Sequence, residues 1–245
     1  MKQYEAVLKT MEENGGYATL GYLNQNVLKI KECQWNTKTP FASIRGIVQT
    51  YDKIFFKIKP GLWALKSYKD KLPTEILSLR NILKPEQKLL NHSYYQGLLV
   101  EIGNLKRYKT FVPNQDKNRQ FLGKTLGEIS TISNFYQFGY DQMVRKAQTV
   151  DVLWFNPRKM PSVLFEIEHS TDIQNSLLKF VELQDYNVNF FIVADKVRKA
   201  ECAGKLSLNA FMPIKSRVQF MDYDKLSDWH TKTFEIVAIE NNLVF

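Results

Sequence analysis

The sequence predicts a protein of the α/β (α+β) class, in which a small domain of helices and a hairpin precedes a central mixed β-sheet flanked by helices. Three observations support this prediction. The first 66 residues read as three amphipathic helices and two alternating strands, residues 150–170 read as a pair of strands, and an apolar run at 189–195 follows a helical stretch. With 245 residues and 44% hydrophobic content, the chain can build two cores.

The predicted domain boundaries follow the breaks in this pattern. The first domain covers 1–72, a linker covers 73–85, and the second domain covers 86–245. Prolines and charged residues interrupt the hydrophobic periodicity around the linker. A short helix from Glu75 to Ile82 is expected to bridge the two domains.

Helices in the first domain alternate with turn signals. Asn14-Gly15-Gly16 ends the first helix, because glycine readily leaves the helical conformation. Pro40 suits the first turn of a helix, and Pro60-Gly61 predicts the turn of a hairpin. Three helices and a hairpin make a winged helix. The predicted elements are helices at 4–13, 20–30 and 35–50 and a hairpin at 54–65.

Two strings in this domain match a known family. Trp-x-Thr-Lys-Thr-Pro (35–40) precedes a helix, and Phe-x-Lys-x-x-x-Gly-Leu-Trp-x-Leu (55–65) follows it. Together they resemble the HARE-HTH domains, a winged-helix family found fused to restriction endonucleases and chromatin proteins. The match spans most of residues 3–66.

The net charge of +9 favours nucleic acid as a partner. Residues 1–75 hold 12 basic and 7 acidic residues, so the excess of +5 is concentrated in the predicted winged helix. The alternatives are that these lysines solvate a small domain or that the domain binds protein. The candidate DNA contacts are Lys38, Arg45 and Gln49 on the third helix and Lys57 and Lys59 on the hairpin.

Acidic residues mark the strand pair of the second domain. Residues 150–155 and 162–170 are apolar, β-branched and aromatic, and the connector between them holds two prolines. Because side chains of a strand alternate between its faces, Glu166 and Glu168 point the same way. A connector of about six residues brings Asp151 beside Glu166.

Carboxylates this close repel each other unless a cation lies between them. Hard oxygen ligands suit Mg²⁺, for which Mn²⁺ could substitute. A bound cation activates water and neutralises charge on a transferring phosphoryl group. The alternative is that these acids are solvated on the outer face of an amphipathic hairpin.

An Asp, a loop, and Glu-x-Glu at the end of an apolar strand resemble the PD-(D/E)XK nuclease superfamily, which includes many restriction endonucleases. Asp151 matches the first acid and Glu166 the second, but Glu168 stands where the family usually has Lys. The resemblance implies that Asp151, Glu166 and the Ile167 carbonyl hold the metal. Glu168 would then orient or deprotonate the attacking water, and Lys179 on the next helix is the candidate for the missing lysine.

The core of this superfamily runs helix, three strands, helix, strand, and the second domain can be read in that order. Glu101 on the first helix matches a position where many members carry a further acid near the metal, although a solvated glutamate is the alternative. The predicted elements are a helix at 86–104, strands at 108–113, 150–155 and 162–170, a helix at 172–185 and a strand at 189–195.

Residues 114–150 are the least readable segment, since charged and aromatic residues mix there without a period. The resemblance implies that such an insert helps to form a DNA cleft. Lys117, Arg119 and Arg145 are the candidates for that role, with a plain surface role as the alternative.

Other classes of function find no support in the sequence. No apolar stretch approaches the roughly 18–20 residues that span a membrane, and the N-terminus lacks an apolar signal core, so a cytoplasmic protein is expected. Cys33 and Cys202 form no zinc or disulfide framework, and the three histidines are too scattered for a zinc site.

The expected function is therefore that of a Mg²⁺-dependent type II restriction endonuclease, which hydrolyses phosphodiester bonds in double-stranded DNA. Cutting both strands suggests a homodimer, and a restriction enzyme implies a cognate DNA methyltransferase. Three alternatives stay open: a modification-dependent nuclease, a repair nuclease without sequence preference, and a winged-helix DNA-binding regulator that has lost catalysis.

Overall fold

The computed structural model describes residues 1–80 and 85–241. It divides into two compact units, Met1–Leu83 with Ser227–Phe245, and Lys84–Leu226. The domain boundaries at 1–72, 73–85 and 86–245 stay a prediction. No helix within the described ranges combines the length and apolar character needed to cross a bilayer.

Helices surround a small antiparallel sheet in the first unit. The strand order is β1-β3-β2, and the turn between the last two strands contains Gly61, whose φ of 74° favours glycine. The strand β1 was not predicted. The elements are α1 (Gln3–Glu13), β1 (Tyr17–Thr19), α2 (Leu20–Asn26), a 3-10 turn (Val27–Lys29), α3 (Pro40–Thr50), β2 (Phe55–Lys59), β3 (Leu62–Leu65) and α4 (Thr74–Ser78).

The predicted helices and hairpin of this unit are present, but the second and third helices are shorter than predicted, because α2 ends at Asn26 and α3 begins at Pro40. Thr19 caps α2 by accepting a hydrogen bond from the Tyr22 backbone N–H at 3.1 Å, and Pro40 occupies the first turn of α3. Apolar side chains from all three helices are buried together, among them Met11, Leu23 and Ile44. The helix predicted from Glu75 to Ile82 corresponds to α4 in its described part. Residues 81–84, which include the end of that predicted helix and part of the predicted linker, lie outside the described residues.

A five-stranded mixed sheet forms the centre of the second unit, in the order β10-β9-β8-β7-β4. Strands β4, β7 and β8 pair antiparallel, whereas β8, β9 and β10 are parallel. The sheet elements and their helices are α5 (Pro85–Leu105), β4 (Lys109–Phe111), β5 (Gln120–Phe121), β6 (Lys124–Thr125), α6 (Leu126–Ile129), α7 (Asp141–Ala147), β7 (Val152–Phe155), β8 (Pro161–Glu168), α8 (Ile173–Glu182), β9 (Asn189–Ala194), α9 (Lys199–Leu206) and β10 (Val218–Asp222). The last helix, α10 (Tyr223–Glu240), begins in this unit and belongs to the first unit from Ser227 onward.

Helix α5 packs against this sheet through the stripe that its periodicity predicts. Tyr94, Leu98 and Ile102 are at most 2% exposed. The predicted stripe consists of the apolar residues at 90, 94, 98 and 102, and the side chain of Leu90 lies outside the described part of the structure. The close packing of the helix is visible at Gly97, where a Cβ atom would lie 2.1 Å from a ring carbon of Phe121.

The segment 114–150, in which the sequence shows no period, contributes aromatic side chains to the hydrophobic core. Phe135, Tyr136 and Phe138 place their rings 5.1 to 5.8 Å from the ring of Phe155 on β7. Aromatic pairs at this separation bury large apolar areas. These aromatic residues are therefore structural.

Helix α8 connects the parallel strands β8 and β9. Asp172 caps it by accepting a hydrogen bond from the Gln174 backbone N–H at 2.9 Å. Ile173, Leu177 and Phe180 are fully buried against the sheet, as their spacing predicts. This helix brings its polar side chains to the end of β8.

Candidate active site

An open cleft of about 410 Å³ lies in the second unit, where β8 ends. Asp151 borders it from the position just before β7, and Glu166 and Glu168 border it from the last residues of β8. Lys179 reaches the same cleft from α8. Residues on three separate elements therefore meet in one place.

Asp151 is oriented by the backbone of the neighbouring strand. Its Oδ2 accepts a hydrogen bond from the Ile167 N–H at 2.7 Å, and its Oδ1 lies 3.5 Å from Nε2 of His92. Burial opposes the charge on Asp151, but His92, the Ile167 N–H and Lys179 together lower the pKa of this carboxyl. Asp151 is therefore held as a carboxylate.

Glu166 is 3% exposed and is held by two side chains of α8. The Lys179 ammonium lies 2.9 Å from both of its carboxylate oxygens, and the Ser176 hydroxyl lies 3.1 Å from Oε2. Burial, with repulsion from Asp151, raises the pKa of Glu166 well above its ordinary value although Lys179 opposes the shift. The cleft thus holds an acid whose ionisation is costly without a further cation.

Lys179 is fixed by more than one acceptor. Besides Glu166, its ammonium donates to the Thr149 carbonyl at 3.1 Å. Burial opposes its charge, but attraction by Glu166 and Asp151 outweighs burial and raises the pKa of Lys179. The lysine is therefore a firmly held cation beside the acids.

Glu168 is 4% exposed, and hydroxyl groups hold its carboxylate. Ser176 donates to one of its oxygens and Thr171 to the other. The burial of Glu166 and Glu168 excludes the alternative of solvated acids on an outer hairpin face. Both acids line the same cleft, as the alternation of β8 predicts.

The sequence did not predict two further residues at the cleft. His92 on α5 and Asp116 in the loop before β5 each offer a ligand atom within 4.8 Å of one on Asp151. Burial opposes the charge on His92, but Asp151 and Asp116 outweigh burial and raise the pKa of this imidazole. The charged run at 115–119 was the one signal in the sequence for Asp116, and nothing in the sequence pointed to His92.

The other candidate residues of the second unit are spread more widely. Arg119 borders the cleft and pairs with Asp116 at 3.0 Å, whereas Glu101 is not among the residues that line the cleft. Lys117 donates to the Ser133 carbonyl at 3.2 Å, and Arg145 is exposed on α7.

The candidates of the first unit also differ in their surroundings. Lys38, Gln49 and Lys57 are exposed, and Lys59 is half-buried. Arg45 on α3 pairs with Glu235 of α10 at 2.9 Å. The guanidinium of Arg45 is therefore engaged within the unit itself.

The chain matches the model of a known protein family. The family model described as the type II restriction enzyme NmeDI C-terminal domain matches residues 71–242. The type II restriction enzyme NmeDI of Neisseria meningitidis serogroup C is 27% identical over 123 residues, which is 44% of this chain and 35% of that protein. The chain thus spans about a third of the length of this curated relative. No solved structure matches the chain.

Proposed function

We propose that this chain, which belongs to the family of the type II restriction enzyme NmeDI C-terminal domain, hydrolyses phosphodiester bonds of double-stranded DNA in the acidic cleft. The observation that carries this proposal is the meeting of Asp151, Glu166 and Lys179 in one open cleft. An acid before one strand, an acid on the next strand and a lysine are the parts of a PD-(D/E)XK site. We assign the second unit to that superfamily.

The donor set of the cleft fits a divalent cation such as Mg²⁺ or Mn²⁺. Asp151 and Glu166 supply hard carboxylate oxygens, and Ile167 also borders the cleft. The raised pKa of Glu166 agrees with this role, because a buried carboxylate that repels Asp151 lacks a sufficient counter-charge. When bound, the cation would supply an activated water and neutralise charge on the phosphate.

Lys179 is proposed to take the place of the missing motif lysine. Its ammonium lies 2.9 Å from Glu166 although it comes from α8 instead of from the strand. A fixed cation at this position stabilises the negative charge that develops on a phosphate oxygen. Glu168, held by two hydroxyls, is proposed to orient the attacking water.

The first unit is proposed to be a winged helix of the HARE-HTH type that docks on the DNA backbone. Exposed Lys38, Gln49 and Lys57 support this role, since phosphate contacts depend on accessible polar and basic groups. A homodimer that cuts both strands, and a cognate methyltransferase that protects the host DNA, complete the proposal.

Digestion of a defined plasmid in the presence of Mg²⁺ tests this function. We expect discrete fragments from the wild type, and no cutting by Asp151→Ala or Glu166→Ala although both still bind DNA. Glu182→Gln is the matched control, because this glutamate pairs with Lys146 on the surface of α8. Cutting by both cleft variants would refute the site, and a smear in place of fragments would indicate a nuclease without sequence preference.

A further inference from the structure

We propose that His92, Asp116 and Asp151 form a second divalent-cation site, which takes a borderline metal such as Zn²⁺ in preference to Mg²⁺. Their ligand atoms all lie within 4.8 Å of one another. The site shares Asp151 with the Asp151–Glu166 pair and adds a ligand from α5. Its catalytic meaning rests on the proposed function, but its existence can be tested without DNA.

The three ligands come from independent parts of the second unit. His92 is on α5, Asp116 is in the loop before β5, and Asp151 directly precedes β7. All three border the cleft. A bound cation would therefore link α5, the loop before β5 and the start of β7.

One buried amide holds two of the ligands in place. The side-chain N–H₂ group of Gln96 donates to Asp116 Oδ2 at 2.9 Å and to the Asp151 backbone carbonyl at 3.0 Å. Gln96 is fully buried, so these bonds are shielded from water. Such outer partners orient metal ligands and tune the affinity of a site.

The remaining oxygen of Asp116 is held by an ion pair alone. Asp116 is 2% exposed, and its Oδ1 lies 3.0 Å from Nε of Arg119 but accepts no hydrogen bond from any residue that the structure describes. A divalent cation in the site would bind this oxygen directly and would compete with Arg119 for it.

The imidazole decides which metal the site prefers. Nε2 of His92 lies 3.5 Å from Asp151 Oδ1, so nitrogen and oxygen donors face the same point. Mg²⁺ prefers oxygen ligands and water, whereas imidazole suits Zn²⁺ and other transition metals. The alternative is that His92 is only an ion-pair partner of Asp151.

Nitrogen-15 NMR of the full chain, labelled at histidine, separates these alternatives. The chain has three histidines, so each imidazole can be followed. With Mg²⁺ in excess and Zn²⁺ as the added probe, we expect the Nε2 resonance of His92 to shift, and the His92→Gln variant identifies it. The decisive spectrum is that of the wild type, once the His92 resonance has been assigned. If Zn²⁺ shifts no imidazole resonance, or shifts that of His169 and leaves that of His92 unchanged, the site does not exist.

Variants of the carboxylate and of its amide partner sharpen the test. Asp116→Asn and Gln96→Ala should each weaken Zn²⁺ binding by about 10-fold or more. Glu166→Gln should leave the response of His92 to Zn²⁺ in place, and Asp141→Asn on α7 is the surface control. Undiminished Zn²⁺ affinity in folded Asp116→Asn would overturn the proposal, with folding checked by thermal unfolding.

Failure of this inference is distinguishable from failure of the proposed function. A Zn²⁺-induced shift of the His92 resonance in a protein that cuts no DNA would support the metal site and contradict the nuclease function. Plasmid cutting without any response of His92 to Zn²⁺ would leave the nuclease standing and remove the second site.

Discussion

The ammonium group of Lys179 lies 2.9 Å from both carboxylate oxygens of Glu166, although the two residues belong to different elements. The central strand β8 places Glu166 near its C-terminal end, and the crossover helix returns Lys179 to the same end of the strand. A lysine two residues after Glu166 would follow on the same strand, where Glu168 stands instead. The spatial pair of acid and lysine is thus made by tertiary packing.

Removal of this lysine should strongly slow cleavage while DNA binding is retained. We expect Lys179→Met to lower the cleavage rate by about 100-fold or more, because a fixed charge beside the phosphate is lost. Lys146→Met is the matched control, since Lys146 pairs with Glu182 at the surface, away from the cleft. The measurement is plasmid cleavage with DNA binding in parallel, and wild-type cutting by Lys179→Met would contradict the assignment.

The stability of the metal-free protein should fall as the pH rises through the pKa of Glu166. That pKa is raised above 4.5, so the stability that Glu166 contributes is present below its unfolded pKa and is lost as the group ionises in the fold. Lys179 loses its contribution only at a pH above the ordinary lysine value of 10.5.

The Glu166→Gln variant should therefore have a higher melting temperature than the wild type at about pH 8, and the difference in melting temperature should be smaller at about pH 5. Mn²⁺ should stabilise the wild type more at the higher pH, because it binds the ionised acid. Thermal unfolding at both pH values measures this, with Glu182→Gln as the surface control. An equal difference at both pH values would mean that Glu166 is not the titrating group.

Gly97 is expected to tolerate no side chain. The Cβ atom of Gly97→Ala would lie 2.1 Å from Phe121, so α5 or the ring must move at a cost of about 1–3 kcal/mol. Gly204→Ala on α9 is the matched control, because its added Cβ would meet no neighbouring side chain within 4 Å and alanine favours a helix. Chemical denaturation distinguishes them, and equal stability of both variants would contradict the close packing.

Arg45 should matter less for DNA binding than the exposed lysines do. Glu235 already pairs with it at 2.9 Å, whereas Lys38 and Lys57 are exposed. Lys38→Ala and Lys57→Ala should each reduce the salt dependence of DNA affinity by a slope of about 1. Fluorescence anisotropy against salt concentration checks this, and a larger loss for Arg45→Ala than for the lysine variants would show that the Glu235 pair opens on DNA.

Much of the sheet could be predicted because its strands carry local signals. The strands β8 and β9 confirm the predictions made from the alternation at 162–170 and from the apolar run at 189–195, and α8 lies within the predicted helix 172–185. The three-residue strand β1 is too short to show a period, and β10, α9 and α10 follow the last predicted element.

The site was predictable only where its residues share a strand or a helix. Asp151, Glu166 and Glu168 could be named from strand alternation and a short connector, and Lys179 from the resemblance to the nuclease superfamily. His92 and Asp116 depend on the packing of α5 and of the loop before β5 against β7, which has no local signature. Glu101 was chosen by likeness to other members, and it does not line the cleft.

Helix α8 also constrains how this chain can evolve. Each residue turns a helix by about 100°, so one residue inserted inside α8 between Leu177 and Lys179 would turn Lys179 away from Glu166 or turn the buried side of the helix away from the sheet. The turn at 156–160 lies at the other end of the strand pair and belongs to no helix, and there the Asn156 side chain accepts hydrogen bonds from the backbone N–H groups of Arg158 and Met160. Relatives with this chemistry should therefore keep the residue spacing within α8 and vary the length of that turn.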